Sequence, residues 1–523
     1  MTERYGQERV KRGFFHFMIG KGVSSVAGFL ATVLVIRALS IDAFAAYSVL
    51  TAFVFLLTAI SGLGLAHVLL RYVPELYALH YKTALRQLIS NALLIRTMAL
   101  LVTTLVVYLL EDKLMPGIGL EGQARAFNVF LLVVLLRSST HVLSQVLEST
   151  LHQSLAQLAF TAGSVIRLTG MAYLLQLGQA SLLDVIWVEV ISDSASFFIG
   201  CFGVAQMVRH SAGGNSAGSA NERQAPADDL HWLHDNLRQM ARFALAGYVQ
   251  HLAIMPYGGP TNRLVGGHML GAGALANFGF AQSLYEYVAR YLPAQLLVGL
   301  IRPIVVARYC ERRDFSVAAK LCGQVLQINI LLIGAGLSLL AVGGAEALAW
   351  MTAGKYGAEA AVLLAMLLFV LLLETQRQQL ELLVQTVEQY KELIASNVLL
   401  ACSVFIAILL IPAWGAIAFP IANLIGLVVA NAWVQHRMRT LGFRFQHDWA
   451  SSMKVGLVLF ASILAGLGLK LADLPWVVAV AATAALYGML GYFFCRGIVR
   501  SFINDLLIRP ESTAVGKSCR PAG

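Results

Sequence analysis

The chain has 523 residues, of which 58% are hydrophobic and only 13% are charged, and its mean hydropathy is +0.72. A soluble globular protein carries about 25% charged residues, so this composition excludes a set of ordinary soluble domains and favours a polytopic membrane protein. The net charge is +10, and the six cysteines form no CxxC pair, which excludes a zinc site of that kind and a disulfide framework.

Apolar runs long enough to cross a bilayer recur along the whole sequence. A spanning helix needs about 20 mostly apolar residues, and the sequence predicts about fourteen of them in an all-α fold. We place them at 14–38, 44–66, 87–110, 125–148, 155–177, 182–207, 240–261, 269–300, 321–344, 358–386, 391–411, 414–436, 453–472 and 475–497.

The basic residues orient these spans, because Lys and Arg stay on the cytoplasmic side of short loops. With the N-terminus inside, most of the 38 basic residues fall in cytoplasmic loops and termini. The residues assigned to the outer side are Arg37, Lys113, Arg125, Arg263, Lys355 and Lys470. This pattern predicts that both termini lie in the cytoplasm, and in a bacterium the membrane would be the inner membrane. The basic stretch that ends at Arg12 leads into an apolar run too long for a signal peptide, so we expect no cleavable signal. Its basic clusters would contact anionic lipid and not nucleic acid.

A polar stretch near 209–239 separates six predicted spans from eight. Its centre, 211–220, has the Gly/Ser/Ala composition of a flexible linker, and the following segment 228–242 is amphipathic, as in a helix on the membrane surface. The predicted domains are a first lobe at 1–210, a cytoplasmic linker at 211–239, a second lobe at 240–440, two further spans at 441–500 and a cytoplasmic tail at 501–523.

The segments that follow predicted spans 1 and 7 echo each other. Each has an arginine-led turn, at Arg37-Ala-Leu and at Arg263-Leu-Val, and then a run of small residues that leads to an aromatic residue. Both repeats begin on the cytoplasmic side, which favours the parallel repeats found in secondary transporters. Pro256-Tyr-Gly-Gly-Pro260 suits a bend at the outer end of span 7, or an ordinary helix end.

Several of these segments resemble one family of transporters. They are Arg37-Ala-Leu-Ser-Ile-Asp-Ala-Phe-Ala-Ala-Tyr47, Gly62-Leu-Gly-Leu-Ala66, Leu70-Arg-Tyr-Val-Pro-Glu75 and, in the second lobe, 262–293 with Asn277-Phe-Gly-Phe-Ala-Gln-Ser283 and Arg302-Pro303. Together they are similar to the bacterial oligosaccharide flippases of the multidrug/oligosaccharidyl-lipid/polysaccharide (MOP) exporter superfamily.

The resemblance implies two six-helix lobes in a V around a central cavity, two extra helices at 453–497, and alternating access between the two membrane faces. The implied substrate is a polyprenyl-diphosphate-linked oligosaccharide, moved from the cytoplasmic to the periplasmic leaflet for exopolysaccharide, capsule or O-antigen synthesis. The implied partners are membrane lipids and the polymerase and export proteins that act on the product.

Five arginines lie inside predicted spans, where a charge costs roughly 2.5 to 3.5 kcal/mol even on the lenient insertion scale. Arg96, Arg137 and Arg167 fall near the midplane and have no acid at helical spacing. Their expected partners are Glu189 and Asp193, an i,i+4 acidic pair on span 6. The three arginines form either a structural network with these acids or a cationic cavity wall that binds diphosphate oxygens.

Arg290 and Arg377, the other two arginines, have acids on their own helices. Glu286 precedes Arg290 by four residues, and Glu374 and Glu381 flank Arg377 at three and four residues, so these groups are expected to neutralise one another or to contact substrate.

Glu189, Asp193 or Glu286 could each carry a coupling ion, H⁺ or Na⁺, because burial favours the protonated form of a carboxylate. The sequence has no GxxxxGK[ST] motif, so we expect no ATP site and no cofactor.

Two rival functions remain open at this point. A drug/cation antiporter of the same superfamily would be expected to use acids and not arginines to capture its substrate. A membrane polysaccharide polymerase or ligase typically carries a large external loop, whereas the predicted outer loops are short. The sequence therefore favours a transporter and not an enzyme.

Overall fold

The computed structural model describes residues 7–79, 81–150, 152–178, 180–212, 228–292, 315–387, 389–445 and 447–507. The secondary structure within these residues is helical and includes no strand, which confirms the predicted all-α class. The chain divides into two compact units, Met1–Ala276 and Asn277–Gly523.

The first unit contains ten helices in its described residues. They are α1 (Gln7–Ala38), α2 (Ile41–Ile60), α3 (Leu65–Leu79), α4 (Lys82–Leu109), α5 (Glu111–Gly117), α6 (Ala124–Ser149), α7 (Gln153–Gln176), α8 (Leu182–Ala212), α9 (Asp228–Ile254) and α10 (Gly259–Met269). Helix α11 (Ala272–Tyr291) begins at the end of this unit and continues into the second.

Helix α2 is the most enclosed candidate span. Ser40 caps its N-terminus by accepting a hydrogen bond from the Ala43 amide at 3.2 Å. In its most apolar window 61% of the residues are buried inside the protein, against 28% for α4. Apolar composition alone cannot distinguish these two cases, because lipid and protein interior are both apolar surroundings.

The span predicted at 240–261 is broken into two helices. Helix α9 ends at Ile254, residues 255–258 form a turn in which Gly258 has a φ of 108°, and Pro260 lies in the first turn of α10. A proline suits a helix start, because its missing amide would have no partner there. Of the two alternatives for Pro256–Pro260, the structure confirms the ordinary helix end, because one helix ends at Ile254 and the next begins at Gly259. Because α9 and α10 pack against α2, α3, α4 and α5, the first unit extends beyond the predicted first lobe.

The second unit contains the remainder of α11 and seven further helices in its described residues. These are α12 (Phe315–Met351), α13 (Ala358–Thr386), α14 (Tyr390–Ala401), α15 (Ser403–Trp414), α16 (Ala418–Thr440), α17 (Trp449–Leu471) and α18 (Trp476–Leu507), with a 3₁₀ turn at Gly415–Ile417. Helix α12 packs against α13, α17 and α18, and α16 packs against α13, α14 and α15.

Eleven segments of the described residues are long and apolar enough to cross a membrane, so the predicted count of fourteen is not confirmed. One of them, Lys391–Thr440, is 50 residues long and covers two of the predicted spans. The predicted spans at 240–261 and 269–300 are not among the eleven, because the described parts of α9 and α11 are too polar. The centre of the predicted linker and the Arg302-Pro303 motif lie outside the described residues.

Candidate functional site

A buried charge network lies where α6, α7 and α8 meet. Arg137 on α6 contacts both acids of α8: its Nη2 lies 2.5 Å from Oε2 of Glu189, and its Nε donates to Oδ2 of Asp193 at 3.0 Å. Arg167 on α7 pairs with the other oxygen of Glu189, with Nε 2.7 Å from Oε1. The predicted partnership of these two arginines with Glu189 and Asp193 is therefore confirmed.

Tyr47 on α2 brings a fourth helix into the network. Its hydroxyl accepts a hydrogen bond from Nη2 of Arg167 at 2.8 Å and donates one to Oε1 of Glu189 at 2.6 Å. In the sequence, Tyr47 stands out only as the last residue of the motif that resembles the flippase family. A tyrosine in the interior of an apolar span is a usable signal, because a buried hydroxyl needs a partner.

The sequence of α7 and α8 explains why these side chains meet. Ser192 on α8 donates to the carbonyl of Gly163 at 2.9 Å, and Ser196 donates to the carbonyl of Ala159 at 3.1 Å. A Cβ at Gly163 would lie only 2.1 Å from Oγ of Ser196, so the two helices approach closely because this position is glycine. Small residues and hydroxyl contacts of this kind hold helices together in membranes.

The members of the network differ in their exposure. The Glu189 side chain is 0% exposed and that of Asp193 is 13% exposed, whereas those of Arg137 and Arg167 are 35% and 20% exposed. An ionised Glu189 is tolerable because it accepts hydrogen bonds from Arg137 and Tyr47 and forms an ion pair with Arg167, whereas a buried charge that loses its partners is strongly destabilising. The network holds two positive and two negative charges.

Arg96 on α4 does not join this network. The residue is 5% exposed, its Nη2 donates to the carbonyl of Thr58 at 2.9 Å, and its Nε and Nη1 have no hydrogen-bond partner among the described residues. The predicted pairing of Arg96 with Glu189 or Asp193 is wrong. The guanidinium turns instead to the C-terminal end of α2, where the helix dipole is negative.

A further cation, Arg263, lies in a helix and not in the outer turn predicted from the sequence. It belongs to α10, is 5% exposed, and donates from Nη1 to Oγ1 of Thr51 at 3.5 Å. The proline at position 260 was a signal for a helix start that would have placed Arg263 inside a helix.

In the second unit, Arg377 on α13 makes a compact local cluster. Its Nε donates to Oε1 of Glu381 at 3.0 Å, and its Nη2 donates to Oγ of Ser396 at 2.9 Å and to the side-chain oxygen of Asn397. The predicted Arg377–Glu381 pair is confirmed. Glu374, the other predicted partner, accepts a hydrogen bond from the hydroxyl of Tyr285 on α11.

The predicted ion pair between Glu286 and Arg290 does not form within residues 272–291. Arg290 is exposed, and its guanidinium lies 5.7 Å from the centre of the Tyr287 ring, a cation–π arrangement. Glu286 accepts instead from the side-chain amide of Gln282 at 3.4 Å. No cluster of three or more His, Cys, Asp or Glu side chains suited to a metal ion occurs in the part of the chain that the structure describes.

No protein-family model and no curated protein matches the chain. Several solved structures do match it. The lipid II flippase MurJ, in an inward closed conformation, matches 92% of this chain and 99% of its own at 12% identity, with a TM-score of 0.61. An inward-facing multidrug resistance MATE family transporter of the MOP superfamily matches 82% of this chain and 99% of its own at 13% identity, also with a TM-score of 0.61.

A MATE transporter from Vibrio cholerae also matches, over 84% of this chain and all of its own, at 13% identity and a TM-score of 0.50. At these identities the likeness concerns the fold. The chain is thus a multi-pass membrane protein that has the same fold as this flippase and these transporters, which confirms the transporter fold that the sequence resemblance implied.

Proposed function

We propose that this protein is a flippase that moves polyprenyl-diphosphate-linked oligosaccharide repeat units from the cytoplasmic to the periplasmic leaflet of a bacterial inner membrane. It works by alternating access, with both termini in the cytoplasm, and supplies exopolysaccharide, capsule or O-antigen synthesis. The fold alone leaves the substrate open, because a lipid II flippase and a multidrug transporter match the chain with the same TM-score.

The observation that carries the proposal is the excess of buried positive charge in the first unit. Arg137 and Arg167 are neutralised by Glu189 and Asp193, whereas Arg96 is buried with one hydrogen bond to a carbonyl and no carboxylate within ion-pair distance among the described residues. A buried guanidinium with free N–H groups favours an anionic ligand such as a diphosphate. An organic cation would be repelled by the same charge.

This charge balance divides the candidate substrate-binding arginines into two groups. Arg137, Arg167 and Arg377 are engaged with carboxylates, so we assign them to positioning the helices. Arg96 is the first candidate for contact with the diphosphate. Arg290 is the second, because it is exposed on α11 and its guanidinium contacts an aromatic ring instead of an acid.

For energy coupling we propose a proton at Asp193 and not at Glu189. Asp193 shares Arg137 with Glu189 and is the more exposed of the two acids, so a proton could neutralise it while Arg137 keeps Glu189 as its partner. Asp193→Asn should abolish the dependence of transport on a pH gradient in proteoliposomes. Dependence that persists in Asp193→Asn would exclude this acid as the coupling site.

The test of substrate is made in a deletion strain. We expect polyprenyl-diphosphate oligosaccharide to accumulate on the cytoplasmic face, where a membrane-impermeant sugar-modifying reagent cannot reach it from outside the membrane. Accumulation on the periplasmic face would indicate a polymerase or ligase, and no accumulation would favour the drug/cation antiporter.

The role of Arg96 is tested in the same strain by complementation. Arg96→Gln should restore transport far less than the parent protein, while Arg377→Gln, a buried arginine of the second unit, serves as the matched control. Equal complementation by both variants would contradict the assignment of Arg96 to the substrate.

A further inference from the structure

Helix α12 is broken near its C-terminal end. Gly343 has φ −141° and ψ 18°, outside the helical region, within a helix that otherwise continues from Phe315 to Met351. A residue of this kind interrupts the regular hydrogen-bond ladder, and the carbonyls beside such a break need other donors. The surroundings of Gly343 therefore decide whether the bend is held or free.

Lys470, in the last turn of α17, contacts α12 on both sides of the break. Its ammonium donates to the carbonyl of Val342 at 3.1 Å, one residue before Gly343, and pairs with Oε1 of Glu346 at 2.5 Å, three residues after it. An ammonium group has three donors, so one lysine can satisfy both oxygens. The same side chain thus connects the two segments of α12.

The packing beside this contact is equally specific. A Cβ on Gly343 would lie 2.3 Å from Val480 of α18, and a Cβ on Gly466 of α17 would lie 2.6 Å from Val342. Helices α17 and α18 therefore approach α12 closely at the bend, and glycine is required on both sides of the contact. Lys470 and Glu346 keep 39% and 34% of their side-chain surface exposed, which suits an ion pair that can open and close.

We propose that Lys470 is a positioning residue that holds the bend of α12 by bridging Val342 and Glu346, so that the C-terminal helix pair α17–α18 controls how far α12 bends during transport. Through this contact, α17 and α18 would take part in the conformational changes that α12 makes during transport. The effect on flux depends on the proposed transport function, whereas the effect on the bend does not.

The bend is measured by pulsed EPR on the full-length protein in nanodiscs. Spin labels at positions 332 and 350, both exposed and on either side of Gly343, lie roughly 27 Å apart for 18 residues of helix at 1.5 Å per residue. Lys470→Met should broaden or shift the distance distribution, and adding Glu346→Gln should change it no further. Lys470→Arg keeps a cation with several donors and should restore the parent distribution.

Arg437→Met is the matched control, because it removes another partly exposed ion pair of the second unit, with Glu392 at 2.9 Å, away from the bend. A distribution in Lys470→Met that equals that of the parent and of Arg437→Met would overturn the proposal. If Lys470→Met shifted the distance distribution but left the flux unchanged, the bend of α12 would not regulate transport, and that part of the proposal would be wrong. Absence of oligosaccharide-lipid flux in the parent itself would instead count against the proposed function.

Discussion

The arginines that pair with acids in the two units are stabilised in different ways. In the first unit, Arg137 and Arg167 join side chains from four helices, and Glu189 is 52 residues from Arg137 and 142 from Tyr47 along the chain. In the second unit, Arg377 pairs with Glu381 one turn along its own helix and with two neutral side chains about 20 residues away. The first network ties distant segments together, whereas the second mainly neutralises one helix.

The largest difference in stability between the two arginine clusters should appear when the main carboxylate of each, Glu189 in the first unit and Glu381 in the second, is replaced by a neutral amide. Glu189→Gln removes the fully buried carboxylate that Arg137 and Arg167 share. Breaking a buried ion pair costs about 3–5 kcal/mol, and the cost here is at the lower end because the two arginines keep 35% and 20% of their side-chain surface exposed and Arg137 keeps Asp193. We expect a marked fall in the thermal unfolding midpoint of the detergent-solubilised protein. Glu381→Gln, with a 29% exposed side chain, is the control, and an equal fall in both variants would remove the distinction.

A smaller effect is expected when the arginine of the second unit is replaced. Arg377→Met removes hydrogen bonds to Glu381, Ser396 and Asn397 but introduces no unpaired buried charge, so we expect a loss of about 1–3 kcal/mol. The measurement is chemical unfolding followed by tryptophan fluorescence, with Arg290→Met as an exposed control. A loss as large as that of Glu189→Gln would show that the second cluster also ties distant segments together.

Tyr47→Phe tests how much α2 contributes to the stability of the first network. It removes one hydroxyl that accepts from Arg167 and donates to Glu189, while both ion pairs remain. We expect the free energy of unfolding to fall by slightly more than about 1 kcal/mol, because a hydrogen bond to a charged group contributes more than one between neutral groups. Tyr285→Phe makes the corresponding change at Glu374 in the second unit. If Tyr47→Phe were neutral in the same thermal assay while Tyr285→Phe was not, the network would not depend on α2.

The smallest effect should come from a cap outside the membrane-spanning segments. Asp448 caps α17 by accepting from the Ser451 amide at 3.0 Å, and the hydrogen bonds from Ser451 hold the pKa of this carboxyl below its ordinary value. Stability from such a lowered pKa is present above the unfolded-state pKa and is lost as the pH falls through the folded-state value.

Asp448→Ala should cost about 1 kcal/mol at neutral pH and less in acid. The unfolding midpoint measured from pH 7 down to pH 3 checks this, with Asp448→Asn as a control that keeps a cap without a titrating group. If Asp448→Ala cost the same stability at pH 3 as at pH 7, the stabilisation by this cap would not depend on the charge of Asp448.

The sequence predicted some of the ion pairs between charged side chains, although the expected Glu286–Arg290 pair does not form and the Lys470–Glu346 pair was not predicted. Lone arginines on spans 4 and 5 and an acidic i,i+4 pair on span 6 were enough to pair Arg137 and Arg167 with Glu189 and Asp193. Arg96 could not be placed in the same way, because its partner is a backbone carbonyl, which every residue carries.

The remaining misses have similar causes. The hydroxyl of Tyr47 and the burial of Arg263 depend on which helices pack together, and hydropathy does not report that. The count of fourteen spans is not confirmed, because α9 and α11 are too polar to count as candidate spans and Lys391–Thr440 covers two predicted spans as one segment. Fold class was predictable because apolar runs of membrane-spanning length recur many times, whereas each site contact depends on a single residue.

The separation between Arg137 and Glu189 also bears on how the chain is inserted into the membrane during synthesis. Helix α6 is made 52 residues before the acid that neutralises it. At about 5–20 residues per second, the ribosome needs roughly 3 to 10 s to reach that acid. During this interval α6 carries an uncompensated guanidinium near its centre, which opposes its release into lipid. Helices α6, α7 and α8 are therefore expected to leave the translocon together, with their charges already paired.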